Sequence, residues 1–177
     1  VDSNIVFEYD GSNEITIDNT TENGLEHRLR VAGDIHLNEG SGFDLFNNNT
    51  GGNNAILEIF GQQNAQLTDT IDMAVDLYRL EMNKQAGTDF SINSDPSDPN
   101  FSFSSFNING PTDGDPKAIE LNSGRLMLQD GGIDITLTSG GSDFYIPSEA
   151  TLFAKYGATL RASGSNTGIL LDGNIVA

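Results

Sequence analysis

Between Ala118 and Ala177 the chain is divided into short alternating segments, AIELN, RLMLQ, IDITLT, DFYIP, TLFAKY, TLRAS and ILLDG, with glycine, serine and asparagine at the breaks. Ile119 and Leu121, Leu126 and Leu128, then Ile133, Ile135 and Leu137 fall on one face. Phe144 and Ile146, Leu152 and Ala154, then Leu160 and Ala162 continue it. Glu120, Arg125, Asp134, Thr136, Thr138, Lys155 and Arg161 fall on the other. This period of two is that of half-buried strands. No segment can bury its apolar face alone, so each must stack on neighbours. Three segments with their corners amount to roughly 20 to 27 residues, the length of one coil of a solenoid. The expected fold class is all-β, a parallel β-helix of short strands with protruding loops. An antiparallel β-sandwich is the alternative. Residues 1–177 are read as one such domain of about seven coils. The closing GNIVA resembles the opening of a further strand, so a piece of a longer protein is expected.

The N-terminal half keeps the same rhythm. NIVFEYD and NEITIDN alternate on either side of Gly11, Ser12 and Asn13. Leu29 and Val31, Ile35 and Leu37, Phe43 and Leu45, then Leu57 and Ile59 share a face. One stretch is ambiguous: from Asp69 to Lys84, Ile71, Val75 and Tyr78 fit a helical stripe, whereas Ile71, Met73, Val75 and Leu77 fit a strand. From Thr88 to Pro116 turn pairs interrupt the pattern, and four of the five prolines fall here. Phe90 and Ile92, Phe101 and Phe103, then Phe106 and Ile108 still alternate, so this region reads as coils with loops protruding at Ser94–Asn100 and Gly110–Lys117.

The formal net charge is −18, from 26 acidic and 8 basic residues. Such a chain has no basic surface to neutralise phosphates, which excludes nucleic-acid binding, and it is repelled by an anionic bilayer. Without cysteine there is no thiol catalysis, no thiolate metal site and no disulfide. A solenoid draws its stability from its continuous ladder and needs none. No apolar run is long enough to span a membrane, and the first residues do not read as a signal peptide.

The order LRVAGDIHLNEGSGFDLFNN, LEIFGQQNAQLTDT, LYRLEMNKQAGTDFSI and IELNSGRLMLQDGGIDITLTSGG resembles the repeating β-helical ectodomains of large bacterial surface proteins exported by the type IX secretion system. The likeness covers roughly Leu29 to Gly141. Two departures are the insert at Asp95–Pro99 and the lack of the group's export-directing C-terminal domain. The resemblance implies an extracellular, non-catalytic structural or adhesive segment, attaching a cell to a surface or another cell. Its expected partners are further copies, in a filament or bundle, and a surface or glycan ligand.

The alternative function is a carbohydrate-active β-helix, a polysaccharide lyase or glycoside hydrolase. That chemistry requires flanking carboxylates or a basic residue. Asp44, Asp134 and Asp143 lie at coil-like spacing, and His27 and His36 alternate near Arg28 and Arg30. Solvation of an outer strand face explains the same aspartates. The metal candidates are Asp95 and Asp98 in SDPSDPN with Asp113 and Asp115 in PTDGDP. Clustered oxygens in turns suit calcium, although aspartates bonding their own backbone produce the same pattern. GGIDITL and GGSDFYI match half of a calcium-binding nonapeptide but lack the glycine before the aspartate. Asn19, Asn48 and Asn100 head glycosylation sequons, and Asp69-Thr70-Ile71 fits a short O-glycosylation pattern.

Overall fold

The computed structural model describes residues 5–7, 14–16, 27–38, 42–46, 55–70, 72, 74–94, 103–110, 118–138, 143–162 and 168–177. The protein is all-β, with no helix among the described residues. Chain order runs β1 (Ile5–Phe7), β2 (Glu14–Thr16) and β3 (His27–Val31), then β4 (Ile35–Leu37), β5 (Gly42–Asp44) and β6 (Ala55–Gly61). Next come β7 (Ala65–Asp69), β8 (Ala74–Leu77), β9 (Arg79–Lys84), β10 (Asp89–Asn93), β11 (Ser105–Ile108) and β12 (Ile119–Leu128). The last are β13 (Asp134–Thr138), β14 (Phe144–Ile146), β15 (Ala150–Ala154), β16 (Thr159–Ala162), β17 (Ile169–Leu171) and β18 (Asn174–Val176). The ambiguous stretch therefore resolves as strand: β7 ends at Asp69, Asp72 takes a left-handed φ of 63°, and β8 and β9 follow.

All 14 ladders among the described residues are parallel. The sandwich alternative thus has no antiparallel ladder there. From β1 to β9 each strand pairs with the third strand after it. The long β12 then serves two stations. Its first half pairs with β9, whereas its second half lies between β10 and β15. At this strand the parallel sheet curls: the register shifts between Leu121 and Ser123, and Gly124 adopts a φ of +88°.

Register aligns the apolar side chains in columns. Leu29, Leu57, Leu80 and Ile119 form one, and Val31, Ile59, Met82 and Leu121 the next. Ala65, Phe90, Leu126 and Leu152 face them from the β7–β10–β12–β15 side, and Phe43, Val75, Phe106 and Ile133 from the β5–β8–β11 side. Together they make one buried cluster. Each large apolar side chain so enclosed contributes about 1.5–3 kcal/mol. Most of the expected inward residues that the structure describes are buried, but Leu29 and Ile108 are half-buried, Ala162 is exposed, and Ile71, Met73 and Phe101 lie outside the described residues; the C-terminal end departs furthest. There Leu160 and Ile169 are half-buried, and Leu171 is 51% exposed although it pairs with the buried Ile146.

Corners are tied by side-chain oxygens. Asp34 Oδ1 accepts the Gln66 N–H at 2.9 Å, and Asn64 Oδ1 accepts the Asp89 N–H at 3.0 Å. Buried Asp130 accepts the N–H groups of Gly132 (2.7 Å) and Phe103 (3.4 Å). These bonds satisfy backbone donors that the ladders leave unpaired as the chain turns.

Candidate functional site

Among the described residues the densest charge constellation lies on the outward face of β3, β6, β9 and β12. Register places Arg30, Glu58, Glu81 and Glu120 in one column. Three carboxylates directly opposite one another on neighbouring strands are mutually repulsive. Arginines resolve this. Arg30 Nε and Nη2 donate to the two oxygens of Glu58 at 2.9 and 3.0 Å, and the guanidinium sits 4.8 Å from the centroid of the Phe60 ring. Arg28 Nη1 donates to Glu81 at 2.5 Å and to Glu58 at 3.4 Å. Arg79, almost fully buried, donates to Glu120 at 2.9 Å. Asn83 donates to Glu81 at 2.8 Å, and Asn122 to Asn83 at 2.9 Å. The bond from Arg30 holds the Glu58 carboxyl below its ordinary titration range, outweighing the opposite effect of burial. With three cations set among three anions, the constellation ties strands β3, β6, β9 and β12 together.

A second feature is a groove of 270 Å³ on the outward face of β12, β15 and β18, lined by Arg125, Met127, Thr151, Phe153, Asn174 and Val176. Two columns build it. Arg125, Thr151 and Asn174 are in register, as are Met127, Phe153 and Val176. Arg125 donates to Asp89 at 2.5 Å, so its charge is already paired.

The aspartates expected from the sequence do not converge. Asp44 closes β5 and accepts the N–H of its own Phe46 at 2.8 Å. Asp134, in β13, is bound by both Arg161 Nε (2.8 Å) and Nη2 (2.6 Å). Asp143 lies before β14 and accepts the Gly168 N–H at 2.7 Å. Each therefore holds local structure. The Asp134–Arg161 pair is exposed on both sides, where screening and side-chain entropy cancel most of the attraction. Replacing Arg161 with alanine should leave the thermal unfolding midpoint unchanged within error in a calorimetric scan.

His36 lies on the outer face of β4 between the buried Ile35 and Leu37, whereas His27, expected on the polar side, shares the face of β3 that carries Leu29 and Val31, opposite Arg28 and Arg30. His36 Nδ1 lies 2.8 Å from Thr68 Oγ1, and its Nε2 lies 3.6 Å from Asp34 Oδ2. The order carboxylate, imidazole, hydroxyl is that of a nucleophilic triad. Yet the Asp34 contact is too long for a hydrogen bond, Asp34 also holds the Gln66 amide, and Thr68 is only 4% exposed. Comparison with family models, curated proteins and solved structures finds no match to this chain.

The four calcium candidates, Asp95, Asp98, Asp113 and Asp115, lie outside the described residues. Among the described residues no group of three or more histidines and carboxylates could hold a metal ion. Sequence reasoning missed both the arginine–glutamate ladder and the groove. Their members are scattered along the chain and meet only through strand register.

Proposed function

We propose that the chain is a parallel β-helix and serves as a non-catalytic structural or adhesive segment of a secreted bacterial surface protein. The observation that carries this reading is the regular pairing of each early strand with the third strand after it, always in parallel. Repeated along a chain, that pairing stacks coils about 4.8 Å apart with hydrogen bonds running along the axis. A stack of this kind lengthens by adding coils without needing a larger core, which suits a stiff projection from a cell. Its outward charges support the same reading. Glu58, Glu81 and Glu120 are spent on arginines, and the outward aspartates on turns and exposed pairs. In this proposal the resemblance to type IX-exported ectodomains supplies the extracellular location, and attachment to a surface or to further copies supplies the task.

Protease shaving of intact source cells tests it. Peptides of this chain should be released before the cells lyse, alongside those of known outer-surface proteins. If they appear only after lysis, together with cytoplasmic markers, the surface assignment fails.

A further inference from the structure

We propose that the arginine–glutamate ladder is an acid-released clamp on the edge strand β3. Among the described residues β3 pairs only with β6, so it has one ladder where β6 and β9 have two. Its outward side chains supply the extra attachment: Arg30 grips Glu58 on the adjacent strand, and Arg28 reaches past it to Glu81 on β9. The charged groups facing this cluster are Arg28 and Arg30 from β3, Glu58 from β6, Arg79 and Glu81 from β9, and Glu120 from β12, while His27 lies on the opposite face of β3 with Leu29 and Val31. Asn83 and Asn122 complete it as neutral donors.

When Glu58 takes up a proton, Arg30 loses its anion and Arg28 one of its two, and the clustered guanidiniums repel one another. The sign follows from Glu58. Its carboxyl titrates lower in the folded protein than in the unfolded chain, because the Arg30 hydrogen bond favours the charged form. Its stabilisation is therefore complete above the ordinary glutamate value of 4.5 and is lost as pH falls through and below it. Release of β3 uncovers the edge of β6, whose unpaired backbone is then open to another strand.

The experiment is amide hydrogen exchange by NMR, corrected for intrinsic rates, at pH 6 and pH 3. In the native chain those amides of β3 that bond β6 should lose protection about tenfold or more between the two, while those of Leu80 and Met82 in β9 hold theirs. Glu58→Gln should show low protection of β3 at both values. Equal loss in β3 and β9, or an unchanged pH response in Glu58→Gln, overturns the proposal. Should Glu58→Gln fail to fold, Arg30→Gln at a 59% exposed side chain gives the same readout.

Discussion

Replacing Phe90 with alanine is expected to cost about 3–5 kcal/mol of unfolding free energy, the range for emptying a fully buried aromatic site. Phe90 has no exposed surface and stands in β10, in register between Ala65 of β7 and Leu126 of β12. Ala65 is too small to move into the space that the ring would leave. The strands on either side are fixed by their ladders, so the surroundings collapse little and the cavity term stays large. For a chain of this length the change corresponds to a fall of roughly 6–20 °C in the unfolding midpoint. Chemical denaturation of the variant checks it, with Ser91→Ala as the control, since the next residue is on the outward face, half-buried, with its hydroxyl donating only to the Met127 sulfur at 3.8 Å. A loss below about 1 kcal/mol would mean that Phe90 does not occupy the centre of this core.

The inward faces were largely legible because they depend on alternation alone, although Ile56, Glu58 and Arg79 are buried at outward positions as well. Leu57 and Ile59, Leu126 and Leu128, and Ile133 with Ile135 are buried where a period of two puts them. Partnership was not legible. Asp89 pairs with Arg125, 36 residues on (125 − 89), whereas Thr151 pairs with Asn174, only 23 on (174 − 151). Variable corners absorb the difference, so the length of one coil does not fix that of the next. The charge ladder was hidden for the same reason. Arg28, Glu58, Arg79, Glu81 and Glu120 acquire meaning only once β3, β6, β9 and β12 are aligned. Composition also misleads at strand ends. Asp69, Lys84 and Asp130 are charged residues in positions where the alternation turns inward, and all three are buried at corners where backbone groups need partners.

The curl of the sheet rests on one position, and Gly124→Ala should expose it. Gly124 lies where β12 leaves its pairing with β9 and enters the ladder between β10 and β15. Its φ of +88° is in the left-handed region, which costs an L-residue about 1–2 kcal/mol. Space is lacking as well. A Cβ there would stand 2.8 Å from Lys84 Cβ and 3.3 Å from the Thr88 carbonyl oxygen. Lys84 has little room to yield, because it is 1% exposed with its Nζ donating to the Phe60 carbonyl. Overpacking of this kind adds about 1–3 kcal/mol, so the whole loss is about 2–5 kcal/mol. Gly87→Ala separates the two contributions. Gly87 has a similar φ of +83°, but nothing stands within 4 Å of an added Cβ, so only the conformational part applies. Denaturant unfolding of both variants should therefore place Gly124→Ala well below Gly87→Ala. Equal losses would show that β12 does not pass against Lys84, and the curl would need another cause.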